Sequence, residues 1–254
     1  MCNFMGCRVS IVQFIKLKKI EKDLGTLAAL DELQKYKDGF TYSNSLIVRK
    51  AADHNDVEIV KAHWEFIPIW IKTMEAVKVA RKQGIPWLNA KAETVLESKM
   101  FRDAALKRRC LVLATHFYEW RHYKPDGEKK DIAYPYAVQL ASEDYFYMAG
   151  IWQPFTDRET GETMDTFAII TTQANELMES VHNKKKRMPT ILTEDLAWEW
   201  IMEDLSEERI KQIAAFQIPS EEMSAYTIAK DFKKAEDPLA PFEYEELPEL
   251  DLAL

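Results

Sequence analysis

Residues 109–120 read RCLVLATHFYEW. The apolar run over 110–117 predicts one buried strand. That strand ends in Tyr118-Glu119-Trp120, where a carboxylate sits between two aromatic rings. Partial desolvation there raises a carboxyl pKa, which suits Glu119 to general acid or base work near neutral pH. An outward-facing strand position accounts for the same residue equally well.

Downstream of this stretch, 124–130 is a polar loop with Pro125-Asp126-Gly127 turn chemistry. Residues 134–140 and 145–152 read as a strand pair, and Gly161 marks a turn before a further strand over 166–172. A short helix over 173–181 leads into His182. An acidic amphipathic helix is expected over 194–216, and the Pro-containing tail from Asp231 is expected to be irregular or disordered. Upstream, 46–49 and 57–64 read as short strands, 66–70 as a packed turn around Pro68 and 72–83 as a helix ended by Gly84 and Pro86. Apolar spacing predicts another helix over 10–37, closed near Gly39, and one following the stretch 87–94 to about Lys107. Helices and short strands mix without a βαβ rhythm, which places the fold in the α+β class. The organisation expected is a single domain over 1–230 with an acidic tail over 231–254.

The chain has 254 residues, 47% of them apolar and 30% charged, a balance that fits a soluble globular protein. No run approaches the roughly 18 apolar residues of a membrane span. Gln13, Lys16, Lys18 and Lys19 interrupt what would be a signal-peptide core. Cys2, Cys7 and Cys110 form no disulfide framework, so a reducing cytoplasm is expected. The net charge of −8 is unevenly distributed. Residues 1–193 hold 29 Lys+Arg against 25 Asp+Glu, and residues 194–254 hold 5 against 17. An acidic total therefore does not exclude a nucleic-acid partner, because the field at a site follows local charge. A solvated acidic helix and tail would produce the same numbers.

Three further positions carry reactive groups. Cys2 follows Met1, and removal of that Met would leave an α-amine and a thiol on adjacent carbons. With reference pKa values of ~8 and ~8.5, both are partly reactive at neutral pH, unlike a Lys amine at ~10.4. Such an aminothiol condenses with an aldehyde to an imine and then closes a thiazolidine. Asn89 and Glu93 would share a helix face, although a capping Asn is the commoner explanation. His182 precedes Asn183-Lys184-Lys185-Lys186-Arg187, a basic loop able to hold a phosphate beside a proton-shuttling imidazole, or simply a solvated loop. No paired-ligand spacing supports a metal and no Gly-rich loop supports a nucleotide, so no cofactor is expected.

Taken in order, these residues resemble the SOS response-associated peptidase family, proteins that process abasic sites and shield single-stranded DNA. Met1-Cys2 resembles the family's start. Residues 63–70 (HWEFIPIW) are similar to its Trp-Gly-Leu-Ile-Pro-x-Trp segment, and 89–94 (NAKAET) to Asn-Ala-Arg-Ala-Glu-Thr. Residues 109–120 are similar to Arg-Cys-Leu-x-Pro-Ala-x-Gly-Phe-Tyr-Glu-Trp. Residues 147–152 (YMAGIW), 167–175 (FAIITTQAN) and His182 with 187–192 (RMPTIL) resemble later family motifs. The resemblance covers residues 2 to about 230.

It implies a curved, barrel-like, mostly antiparallel sheet flanked by helices, in a monomer that is nucleoid-associated when bound to DNA. It also implies that Cys2, freed of Met1, captures the ring-opened aldehyde of an abasic deoxyribose as a thiazolidine. Asn89 would then position the amine or thiol, Glu119 would promote ring-opening and proton transfer, and His182 would act as acid or base at the imine. Self-processing ahead of the Cys is implied by the family's name. Lys91, Arg187, Trp87, Pro86 and Arg8 become candidates for DNA contact through charge and wedging.

Several positions depart from the family. Lys91 replaces an Arg, Glu65 stands where Gly is expected, and Thr115-His116 replace small residues. Three extra residues separate His182 from Arg187, and the chain starts Met-Cys-Asn-Phe rather than Met-Cys-Gly-Arg. Two other readings of the chain remain: a Cys-dependent peptidase or N-terminal-nucleophile hydrolase using Cys2, Glu119 and His182, and a non-catalytic binding module.

Overall fold

The computed structural model describes residues 2–8, 34–52, 56–84 and 86–250. In chain order the strands are β1 (Phe4–Cys7), β2 (Gln34–Asp38), β3 (Asn44–Lys50), β4 (Val57–Trp64), β5 (Asn89–Lys91), β6 (Arg109–Ala114) and β7 (His116–Tyr123). They continue with β8 (Ile132–Leu140), β9 (Phe146–Thr156), β10 (Thr163–Gln173), β11 (Arg187–Pro189), β12 (Ile191–Leu192) and β13 (Met223–Thr227). The α-helices are α1 (Met74–Lys82), α2 (Arg102–Lys107), α3 (Glu176–Val181), α4 (Glu194–Met202) and α5 (Glu207–Ala214).

Strands β10, β4, β3, β6 and β9 pair in succession, and β9 pairs back onto β10. The result is a closed five-stranded ring, antiparallel except for the β10–β4 pair. Closure removes the open edges that would otherwise invite association. A second sheet runs in the order β13-β8-β7-β1-β2, all antiparallel. The fold is thus α+β with a barrel-like core, as the resemblance implies.

Within the ring, β6 and the first six residues of β9 are buried on both faces, which is why they read as unbroken apolar runs. Cys110, Val112, Met148, Phe167 and Ile169 join a cluster with Cys2, Met5, Phe117 and Val138 from the second sheet. The alternating residues Leu111, Ala149, Ile151 and Ile170 pack with Trp200, Ile201, Ile210 and Ile213 from the helices. Cys2 therefore lies at the seam between ring and sheet.

Residues 109–120 are two strands rather than one. The chain leaves the ring after Ala114 and joins the second sheet at His116. Thr115 N donates to Gly6 O at 3.0 Å, and the Thr115 hydroxyl lies 2.8 Å from His116 Nδ1. All of β6 and the first four residues of β7 are buried, so hydropathy has no break to mark the switch. For the same reason the strands at 134–140 and 146–156 are present but unpaired with each other. β8 pairs with β7, and β9 pairs with β6 and β10.

Other expectations were met or revised locally. Helix α1 begins at the Thr73 cap, whose hydroxyl accepts from Ala76 N at 3.2 Å. Asn175 caps α3 in the same way at 3.0 Å. The acidic helix expected over 194–216 is two helices, because Ser206 caps a new start at α5. Arg109 fixes the intervening turn by donating to the carbonyls of Trp200 at 2.5 Å and Glu203 at 2.6 Å. A buried cation at a helix C-terminus is favourably placed against the helix dipole. Of the helix expected between Thr94 and about Lys107, only α2 over Arg102–Lys107 is α-helical, and ahead of it Asn89 lies in β5, paired with β10, followed by one 3-10 turn (Ala92–Thr94). Of the helix expected over 10–37, residues 10–33 lie outside the described residues, and Gln34–Asp38 is a strand on β1.

Residues 231–250 are mostly irregular but anchored. Phe232 and Leu239 are buried, Asp237 pairs with Arg8 at 2.7 Å, and Tyr134 donates to Glu246 Oε1 at 2.9 Å. No helix among the described residues is long and apolar enough to cross a membrane.

A Cβ added at Gly150 in β9 would meet Cys110 Sγ at 2.9 Å and Ala168 O at 3.3 Å. Gly150→Ala should therefore lower stability by about 1–3 kcal/mol through overpacking. In urea unfolding, adding Cys110→Ala should recover part of that loss. An unchanged midpoint in Gly150→Ala would show that the ring has slack there.

Candidate active site

Four segments far apart in sequence meet at the seam. Met5 pairs with Phe117 and Gly6 with His116, so the same register carried back along β1 brings Asn3 toward Glu119. Cys2 is fully buried, and its thiol points at Phe4 O, 4.0 Å away. Asn89 heads β5, which Ile169 N holds by donating to Leu88 O at 3.0 Å. Its Nδ2 donates to Asn3 Oδ1 at 2.9 Å, while its Oδ1 is buried with no hydrogen-bond partner among the described residues. Asn89 thus caps no helix.

Glu119 is 4% exposed, so it is not the outward-facing strand residue that the sequence also allowed. Its Oε2 lies 3.6 Å from His182 Nε2. His182 ends α3, and its Nδ1 lies 2.8 Å from Arg187 O. A carbonyl only accepts, so Nδ1 carries the proton and, in the neutral ring, the Nε2 lone pair faces Glu119.

Burial pushes Glu119 up to about 7. It pushes the His182 imidazole down to about 4, and the charge of Lys185 acts in the same direction. Burial and then the Glu119 charge push the Cys2 thiol well above its ordinary value. At neutral pH the pocket therefore holds a carboxyl poised between its two forms, a neutral imidazole and a protonated thiol.

The loop after His182 is pinned. Asn183 Oδ1 accepts from His122 N at 3.0 Å and its Nδ2 donates to His122 O at 2.7 Å. Lys184 pairs with Asp131 at 3.2 Å and Lys186 with Glu179 at 3.0 Å, which leaves Lys185 exposed between them. Lys186 takes up the tight turn at φ 48°. This accommodates the three extra residues.

The candidate DNA contacts differ in availability. Lys91 and Pro86 are exposed. Arg187 is mostly buried, bound to Glu93 and to Thr171 O. Arg8 is exposed and paired with Asp237. Trp87 is 7% exposed and packs in the core, because Phe66 N donates to Trp87 O and draws that segment inward. Glu65, in place of a Gly, is fully buried between Arg81 at 2.5 Å and His63 at 3.4 Å. Burial alone would raise its pKa, but the His63 and Arg81 hydrogen bonds hold it below the usual range. Among the described residues no group of side chains could hold a metal ion. Sequence reasoning missed Asn3 as a contact. Its adjacency to Cys2 was the available signal.

The model of the SOS response associated peptidase family matches residues 5–235. This chain belongs to that family. It is similar to the abasic site processing protein YoqW of Bacillus subtilis, with 32% identity over 177 residues covering 70% of this chain and 72% of that one. It is also similar to the abasic site processing protein HMCES of Gallus gallus, with 26% identity covering 72% of this chain and 56% of that protein. A crystal structure of a Bacteroides thetaiotaomicron protein superposes with a TM-score of 0.80 at 30% identity, over 95% of this chain and all of the other. The shared fold spans both the ring and the second sheet.

Because the folded Glu119 binds its proton more tightly than an unfolded Glu, it adds stability that is complete below about pH 4.5 and lost as pH rises through about 7. Relative to Glu119→Gln, wild type should match at pH 4.5 and fall behind by on the order of 3 kcal/mol at pH 9. Urea unfolding at both pH values measures this. An equal difference at the two would mean that the carboxyl is not desolvated.

Proposed function

We propose that this protein processes abasic sites by capturing them covalently on Cys2 after removal of Met1, within single-stranded DNA. The carrying observation is the meeting of Cys2, Asn89, Glu119 and His182 at one buried seam, from four separate elements. Relatives named abasic site processing proteins support the same reading.

Each step uses a group in the state described. Glu119 as carboxylate takes the proton from the sugar's anomeric hydroxyl and returns it to O4′ as the C1′–O4′ bond breaks, opening the ring to the aldehyde. The neutral α-amine of Cys2 adds to C1′ and forms a carbinolamine. Glu119, reprotonated from solvent as its pKa of about 7 allows, gives that proton to the departing hydroxyl, so water leaves and an iminium forms. The thiol sulfur then bonds to C1′, and its proton passes to Glu119 or to the His182 Nε2 lone pair. One water is lost overall.

Amine attack comes first because the thiol is held protonated. This disfavours the hydrolase reading, which needs a thiolate nucleophile. Ring closure also explains protection. Strand cleavage by β-elimination requires a C=N bond to acidify the C2′ proton, and sulfur addition makes C1′ tetrahedral. Lys91, Pro86 and Lys185 are exposed and would contact the flanking strand, Lys185 through a phosphate.

Wild type should form an adduct with an abasic single-stranded oligonucleotide that survives denaturing electrophoresis. Cys2→Ala should reduce it to background, and equal adduct from both would overturn the proposal. The capture rate of wild type should change near pH 7, where Glu119 titrates, and Glu119→Gln should lose that inflection. Intact mass tests self-processing: wild type lacking Met1, with Glu119→Gln retaining it, would assign Met1 removal to this site. Equal processing in the two would assign it elsewhere.

A further inference from the structure

Asn3 is the residue in this pocket that neither catalysis nor strand binding explains. Its backbone is fixed independently of its side chain, because Gly39 N donates to Asn3 O at 2.8 Å. A Cβ at position 39 would lie 3.1 Å from that oxygen and 2.9 Å from the end of the Leu88 side chain, so glycine eases the approach. With the backbone anchored, the Asn3 side chain reaches Asn89, its Oδ1 accepting from Asn89 Nδ2 at 2.9 Å. Asn89 Oδ1 is then left buried with no partner among the described residues, on a side chain that contacts Asn3, the residue next to Cys2.

A carboxamide has one donating and one accepting end, and a half-turn about its last bond exchanges them. The two ends would act oppositely on a terminal amine. An accepting oxygen takes an amine N–H and leaves the nitrogen lone pair directed at an incoming carbonyl carbon. A donating NH2 would hydrogen-bond that lone pair and quench the nucleophile.

We propose that Asn3 is a positioning residue that locks the Asn89 carboxamide with its oxygen toward the Cys2 amine, so that the amine meets the sugar aldehyde as a free nucleophile. The inference rests on the capture reading above and extends it to the residue after the nucleophile. Because the family's start has Gly at this position, the lock belongs to this chain. Burying an unpaired carbonyl is unfavourable, and the Cys2 amine would supply the missing partner.

The test is a double-mutant cycle on the first-order capture rate with saturating abasic oligonucleotide, using full-length protein with Met1 removed. Asn3→Ala should slow capture about fivefold, the scale of one hydrogen bond, without changing oligonucleotide affinity. Asn89→Asp presents an oxygen whichever way it turns, so in that background Asn3→Ala should have no further effect. A merely structural role would give the same factor in both backgrounds, and that result would overturn the proposal. Asn3→Ser, which keeps a side-chain acceptor, serves if Asn3→Ala unfolds, and should fall between wild type and Asn3→Ala. Wild-type capture with equal rates in the Asn3 variants would overturn this inference alone. Absence of capture by wild type would overturn it together with the reading it rests on.

Discussion

A carboxyl group taken out of water holds its proton more tightly, and Glu119 is buried where two sheets meet. An apolar cluster fills the seam, in which Val112 and Trp64 from the ring join Phe117 from the second sheet and Cys2. That cluster cannot be made more polar around Glu119 without opening the core. The acid–base character of the pocket is thus a by-product of packing. His182 shares the same burial, which keeps it neutral and gives it a fixed tautomer through Arg187 O. Stability is spent at one position to hold a proton donor and a proton acceptor 3.6 Å apart.

The switch at Thr115 makes this geometry possible. One covalent stretch serves the ring as β6 and the second sheet as β7, so Glu119 stands at a set distance from the ring whatever the loops do. β1 then pairs with β7 and delivers the N-terminal residues to that carboxyl. β5 pairs with β10 and delivers Asn89 from the ring side. Asn89 and Glu119 sit on hydrogen-bonded ladders and Cys2 just ahead of one, which restricts their positions more tightly than a free loop would.

Departures from the family pattern are absorbed by new polar contacts. Glu65 gains Arg81 and His63, and the Arg81 guanidinium also lies over the Tyr42 ring at 3.8 Å. Thr115 and His116 hydrogen-bond to each other and onward to Tyr118 at 3.1 Å. The lengthened basic loop is pinned by Asn183, Lys184 and Lys186, with Lys185 as its exposed charge. Each substitution brings a buried or charged group together with its partners, which is the condition for tolerating polarity inside a fold.

By itself the sequence determined the class of the fold, the strands at 57–64 and 166–172, the helices before Gly84 and His182, and the residues with reactive groups. These are legible because local spacing, caps and turn residues act over a few positions. Only the tertiary structure decided that 109–120 divides between two sheets, that residue 89 is strand and not cap, and that Trp87 is core. Pairing partners lie tens of residues away, and a run buried on both faces carries no periodicity to reveal them. It also decided that Asn3 meets Asn89, since the chemistry of an amide is written in the sequence but the neighbour it turns toward is not.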